Sequence, residues 1–295
     1  MNILAMSKRK TIFMALITMF LWGSLFPMIK LGYAAYSIES TMDTILFAGV
    51  RFVICGGLIC LYSLVKSPSN FKAVRQSIVP IVVAGLLAIV LHYSFTYSAL
   101  QITDSSKTAI LKQIGMLFYV CFSALFFKDD RLNAKKLIGT LMGIAGIVAI
   151  NWSDKGISFN IGDAMIIAAS FCIVSSNIIS KKTFHKIDPI TFTGTSQLFG
   201  GLVLLAIGLV GGGSMNFSVS SSPIFLYMCF ASTVSYCLWY TTIKDGELSK
   251  LFIIKFAEPV FACILGAVIL GENIFNLQYM SAFLLIAGGI YISNK

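Results

Sequence analysis

Long apolar runs separated by short polar segments dominate the chain, falling near residues 11–31, 43–65, 77–99, 105–127, 135–151, 161–180, 190–211, 222–243, 248–270 and 276–293. A bilayer core of about 30 Å is crossed by roughly 20 helical residues. The pattern therefore predicts an all-α membrane protein of about ten transmembrane helices. Joining segments are short and hold turn-forming residues, such as Lys66-Ser67-Pro68-Ser69-Asn70 and Ser220-Ser221-Ser222-Pro223, with no room for a soluble domain. The first run, Thr11 to Leu31, follows Lys8, Arg9 and Lys10 as a signal peptide would. It is too long for a signal-peptide core and has no small-residue cleavage site, so it reads as a retained helix.

Composition supports this reading. Hydrophobic residues make up 57% of the 295 and charged residues 12%, about half of what a soluble surface requires. The formal charge of +10 does not indicate nucleic acid, because the basic residues sit in short clusters at the ends of apolar runs with no recognition motif. One side collects Lys8, Arg9, Lys10, Lys66, Lys72, Arg75, Lys128, Arg131, Lys135, Lys136, Lys181, Lys182, Lys186, Lys244, Lys250 and Lys295. The other has Lys107 and Lys155 with acidic Glu39, Asp43, Asp104, Asp154 and Glu272. An even number of spans places both termini on the basic, cytoplasmic side of what is expected to be a bacterial plasma membrane. The seven cysteines lie inside apolar runs without metal-ligand spacing, so no metal, cofactor or disulfide is expected.

The sequence also matches itself. A shift of 143 positions aligns residues 91–151 with 234–294, pairing Tyr93 with Tyr236, Tyr97 with Tyr240, Lys107 with Lys250, Lys112 with Lys255 and Asn133 with Asn276. The halves, 1–151 and 152–295, would each hold five helices. Because five is odd, they must cross the membrane in opposite directions, as two inverted repeats around a central cavity.

These residues carry a family resemblance over nearly the whole chain. Phe20-Leu21-Trp22-Gly23-Ser24 with Lys30 on the first helix, Tyr97-Ser98-Ala99-Leu100 closing the third, and Glu258-Pro259-Val260-Phe261 followed by Gly271-Glu272 in the ninth resemble the EamA-type branch of the drug/metabolite transporter superfamily. The first repeat departs from the pattern, with Met116 where the second has Pro259. The resemblance implies ten helices in two inverted five-helix repeats and transport of a small metabolite such as an amino acid or a phosphorylated compound.

Charges inside the spans are the informative exceptions, since a lysine or arginine at a helix centre costs roughly 2.5–3.5 kcal/mol on insertion scales. Lys112 and Lys255 fall at matching depths in the two repeats, and with Lys30 and Arg51 they oppose one anion, Glu258. That excess of cations predicts a substrate carrying carboxylate or phosphate. Structural alternatives stand beside this reading: Lys255 and Glu258 are neighbours on one helix face, Lys30 is placed to snorkel, and Arg51 has Asp43 or a carbonyl as partner. Tyr93, Tyr97, Tyr236 and Tyr240, with Trp22 and Gln113, are candidates for the cavity wall, while tyrosines near helix ends also serve as interfacial anchors, a role that suits Tyr97 and Tyr240 better. His92 reads as a hydrogen-bonded packing residue. Gly139 and Gly143 read as a close helix contact.

The predicted function is secondary transport of a small polar metabolite, anionic or zwitterionic. No nucleotide motif is present, and coupling to a proton or sodium ion is open. The oligomeric state is open too, with a monomer plausible. A channel or structural membrane subunit, or an intramembrane enzyme, are the competing classes.

Overall fold

The computed structural model describes residues 8–127, 133–153, 156–157, 159–217, 219–246, 248–255, 257–272 and 277–294. The expected topogenic residues Lys128, Arg131, Asp154, Lys155 and Lys295, and the repeat partner Asn276, lie outside these. Helices account for nearly all of the described chain: α1 (Lys8–Ala35), α2 (Thr41–Lys66), α3 (Phe71–Gln76), α4 (Ile78–Gly85), α5 (His92–Leu100), α6 (Ser105–Leu111), α7 (Ile114–Phe126) and α8 (Ala134–Asn151). A two-residue antiparallel pairing, Trp152–Ser153 with Gly156–Ile157, precedes the rest. Then come α9 (Ile161–Thr183), α10 (Pro189–Val210), α11 (Ser222–Asp245), α12 (Leu248–Ile254), α13 (Ala257–Leu270) and α14 (Leu277–Asn294). Six helices among the described residues are long and apolar enough to cross a membrane: Lys10–Ala35, Thr41–Lys66, Ile78–Leu100, Ile161–Thr183, Pro189–Val210 and Ser222–Lys244.

Local sequence sets the helix starts. Ser40 and Asp43 form a capping box on α2, and Asp43 also accepts from the Ser214 N–H at 2.7 Å, tying the loop before α11 to α2. Asn160 and Asp163 form the same device on α9, and Asp188 caps α10 ahead of Pro189. Two runs expected as single helices are interrupted instead. Residues 105–127 divide into α6 and α7 at Lys112-Gln113, and 248–270 divide into α12 and α13 at Lys255. The run 77–99 stays helical but passes through a π-helical stretch, Leu86–Leu91, just before His92.

Several of the main helix contacts map onto one another. The most extensive are α2 with α10, α8 with α14, α1 with α13 and α11, and α9 with α5, and α7 also meets α9. Advancing each member by one half of the chain turns α1–α11 into α9–α5 and α1–α13 into α9–α7, and leaves α2–α10 and α8–α14 unchanged. Small residues permit the closest of these approaches. A Cβ on Gly56 of α2 would fall 2.7 Å from the Leu198 Cα of α10, and one on Gly201 would fall 2.6 Å from the Val53 nitrogen. The expected glycine seam on α8 is present as well: a Cβ on Gly289 of α14 would meet the Gly139 carbonyl at 2.6 Å, and Gly143 packs on Leu117.

Polarity runs from inside to outside in the reverse of a soluble protein. Leu58, Leu61, Val65, Val79, Leu125, Leu209, Leu226, Val268 and Leu284 are exposed, whereas Arg51, Lys112, Gln113, Lys255 and Glu258 are buried. An apolar exterior of this extent needs lipid around it, not water.

Gly56 and its neighbour Gly57 separate helix propensity from helix packing, since nothing lies within 4 Å of a Cβ at Gly57. Gly57→Ala should hold or raise the melting temperature, by the propensity gain of up to about 1 kcal/mol. Gly56→Ala should lower it through an overpacking cost of about 1–3 kcal/mol. Equal effects in a thermal melt of the detergent-solubilised protein would contradict the α2–α10 seam.

Candidate functional site

The two interruptions place the buried charges. Pro259, near the start of α13, has no N–H to offer the carbonyl of Lys255 one helical turn back, and the Glu258 N–H takes that carbonyl instead at 3.0 Å. The chain tightens there and Lys255 leaves the helical register. In the other half Met116 stands at the position of Pro259. The Gly115 N–H is diverted from the helix to the Ser170 hydroxyl of α9 at 3.1 Å, and Met116 and Leu117 share the Gln113 carbonyl. Gly115 is required for this approach, because a Cβ would lie 2.6 Å from the Ser170 carbonyl oxygen. Different local chemistry thus yields an interruption at corresponding positions of both halves, with a lysine at each.

The lysines converge on one acid. Lys112 Nζ stands 3.2 Å from Glu258 Oε1, and Lys255 Nζ 3.8 Å from Glu258 Oε2. All three are buried, Glu258 completely. Lys255 also faces the rings of Trp22 at 4.4 Å and Trp239 at 5.2 Å, and Lys112 that of Phe26 at 5.2 Å. In a desolvated setting such cation–π contacts contribute up to about 2 kcal/mol each. Glu258 Oε2 has no hydrogen-bond donor among the described residues. Two cations on one anion leave this cluster with an excess positive charge.

A cavity of about 20 Å³, room for roughly one water, opens beside the cluster. Its wall combines Trp22 and Phe26 of α1, His92, Tyr93 and Thr96 of α5, Lys112, Ile173 of α9, Tyr236 of α11 and Lys255. Tyr236 donates its hydroxyl proton to the Tyr93 hydroxyl at 3.0 Å, so two repeat-related residues bond directly across the cavity. Of the residues nominated from sequence, Lys112, Lys255, Tyr93, Tyr236 and Trp22 therefore share one wall, with Glu258 holding the two lysines.

The remaining nominees lie elsewhere. Gln113 donates to the Ala109 carbonyl of its own helix. Tyr240 packs edge-on to Phe184, and Tyr97 and Arg51 sit behind Tyr93. Arg51 does not pair with Asp43, whose carboxylate is taken by the Ser40 and Ser214 backbone. Lys30 is at the rim, its side chain 24% exposed, 3.9 Å from both Asp104 and Glu272. His92 fulfils its expected bond, Nδ1 to the Ala169 carbonyl at 3.0 Å, yet its ring also lines the cavity. Thr96 and Phe26 were missed. Each is one helical turn from a nominated residue, Tyr93 or Trp22, and that spacing is the signal that would have found them.

Polar contacts tie neighbouring helices together at the two ends of α9. At one, Glu272 accepts from the Ser105 N–H and hydroxyl, and Lys107 meets Asp163 at 2.9 Å. At the other, Lys181 of α9 donates to the Ile243 and Gly246 carbonyls at the end of α11.

Comparison with known proteins agrees with this architecture. A solved crystal structure superposes with a TM-score of 0.75 over 97% of both chains at 21% identity, which establishes a shared fold. A protein from Salmonella typhimurium described as a probable amino-acid metabolite efflux pump is 27% identical over 97% of this chain and 95% of its own length. Its Escherichia coli namesake is 24% identical over the same shares. An uncharacterized transporter from Archaeoglobus fulgidus is 24% identical over 96% of this chain and 98% of its own. The model of the EamA-like transporter family matches twice, at residues 9–152 and 160–294. With both halves matched, an apolar exterior and a charged interior, this chain is a multi-pass membrane protein that belongs to the EamA-like transporter family.

Proposed function

We propose that the chain crosses the membrane ten times as two inverted five-helix halves, residues 1–151 and 152–295, and carries a small anionic or zwitterionic metabolite between them by alternating access. Beyond the six long helices, the further crossings are the interrupted segments 105–126 and 248–270 and the shorter helices α8 and α14. The self-mapping helix contacts and the double family match support two equivalent halves. An odd number of crossings per half then makes them antiparallel.

The observation that carries the functional reading is the lysine–glutamate–lysine cluster beside the cavity. Interrupted helices lining a midplane site are a recurring device of secondary transporters. The excess cation supplies attraction for a carboxylate or phosphate, and Glu258 Oε2 supplies an acceptor for an ammonium group. Amino acids and organic or phosphorylated acids fit that chemistry, and the relatives named as amino-acid metabolite efflux pumps agree with it. We read a cavity with room for one water, beside this buried cluster, as an occluded state. Rocking of one half against the other would break one set of end contacts at a time and admit substrate.

Two measurements test this reading. Epitope tags on the N- and C-termini should both resist external protease in intact cells, while a tag in the 212–221 segment should be cleaved; opposite accessibility of the termini would contradict ten crossings. In proteoliposomes loaded with amino acids or organic acids, flux should saturate and show counterflow. Lys112→Gln and Lys255→Gln should each lower it by about tenfold or more, with Lys→Arg restoring part of it, because the flat guanidinium replaces a point charge. The Gln variants should stay folded, since either one leaves a one-to-one ion pair with Glu258. Full counterflow in both would eliminate the lysine site.

A further inference from the structure

A third buried cation lies next to this site, with no ion-pair partner among the described residues. The Arg51 guanidinium of α2 is fully buried, and its Nε, Nη1 and Nη2 have no hydrogen-bond partner among the described residues. No salt bridge reaches it among those residues, and Asp43, two turns away on the same helix, is occupied by backbone N–H groups. Arg51 is surrounded instead by rings, with its Cζ 4.4 Å from the Phe52 centroid, 5.1 Å from Tyr93 and 5.4 Å from Tyr97. Aromatic faces stabilise a guanidinium by cation–π attraction but accept none of its N–H fork in the ring plane. A buried charge in this condition carries a large uncompensated desolvation cost.

Neighbouring hydroxyls are unsatisfied too. The Tyr97 hydroxyl is buried without a hydrogen-bond partner among the described residues. Cys55, one turn beyond Arg51, donates to the Cys229 carbonyl of α11 at 3.5 Å. The donors of Arg51 and Tyr97 thus gather at the α2–α5–α11 junction. Tyr93 stands between this junction and the lysine cavity: its ring faces Arg51, while its hydroxyl holds Tyr236. On the cavity side, Thr96 Oγ1 is likewise unpartnered.

We propose that Arg51 is a second anion subsite, receiving the carboxylate of an organic acid with an apolar or aromatic body, and that the Tyr93–Tyr236 pair partitions it from the lysine cavity. A carboxylate accepts two parallel bonds from the guanidinium fork and a further one from the Tyr97 hydroxyl. Phe52, Tyr93 and Tyr97 then offer ring faces to the body of the acid. The subsite rests on the transporter reading in one respect, namely that ligand reaches it through the same cavity once the tyrosine pair parts.

The test is binding, read by melting of the purified full-length protein in detergent with benzoate, an aromatic carboxylate, and with benzamide, its neutral isostere. Benzoate should raise the melting temperature and benzamide should not. Arg51→Met and Arg51→Lys should each weaken the apparent benzoate affinity by about tenfold or more, the lysine because it lacks the planar fork. Lys112→Gln and Lys255→Gln should weaken it less than either Arg51 variant does, since they leave the guanidinium fork in place on the far side of Tyr93. Without ligand, Arg51→Met should melt no lower than the wild type, because an unpaired buried charge has been removed. A clear drop in that melt, with the full benzoate response kept by Arg51→Lys, would make Arg51 a structural residue and overturn the subsite. No benzoate response in the wild type would overturn it as well. Loss in the lysine variants but not the arginine variants would overturn it and leave the lysine site standing, and equal loss in both sets would overturn a separate subsite. Should Arg51→Met fail to fold, Arg51→Lys and Tyr97→Phe decide, and an unchanged response in both refutes the proposal. Benzoate binding at Arg51 without counterflow of any acid would sink the transporter reading alone.

Discussion

A carboxylate held by two lysines in a low-dielectric interior constrains everything around it. Glu258 is fully buried with Lys112 and Lys255 on its two oxygens. Each charge would be costly alone. Together they require that the segments 105–126 and 248–270, one from each half of the chain, meet at the centre with their interruptions facing. Pro259 and the diverted Gly115 N–H bring that about by separate means. Trp22, Phe26 and Trp239 then complete the surround, lending ring faces where no second carboxylate is present among the described residues.

The rest of the fold packs around this centre with two kinds of contact. The α2–α10 seam is glycine-lined and backbone-close, a contact suited to a rigid spine. The end contacts are of a different kind: a few ion pairs and hydrogen bonds, such as Lys30 with Glu272 and Lys181 with the Gly246 carbonyl. Such contacts exchange readily for water, each contributing about 1 kcal/mol or less where partly exposed. Between spine and ends, the Tyr93–Tyr236 bond is a single hydrogen bond at the inner wall. In the proposed transport cycle, weak end contacts beside a stiff core are what one half would need to rock against the other.

Much of this was legible in the chain, because bilayer physics writes itself into hydropathy and because a repeat doubles each signal. The apolar runs, the pairing of Tyr93 with Tyr236 and of Lys112 with Lys255, and the nomination of Glu258 all came from position and charge. The interruptions were not legible. Hydropathy over residues 105–127 and 248–270 is continuous, and the Gly115 break depends on Ser170 from a distant helix. Position near helix ends set Tyr97 and Tyr240 apart from the cavity tyrosines as better suited to interfacial anchoring, yet both are buried against aromatic neighbours one turn along. Arg51 illustrates the same limit: Asp43 precedes it by two turns, yet the backbone near Ser214 claims that carboxylate first.

The shared carboxylate is tested most directly by the melting temperatures of Glu258→Gln, Lys112→Gln and the double variant. Glu258→Gln leaves two buried ammonium groups facing each other and should be the least stable of the three, with a loss of about 3–5 kcal/mol. Removing Lys112 as well should recover part of that loss, an interaction energy of at least about 1 kcal/mol. Additive losses, with the double variant less stable than either single one, would contradict a carboxylate held between the two lysines.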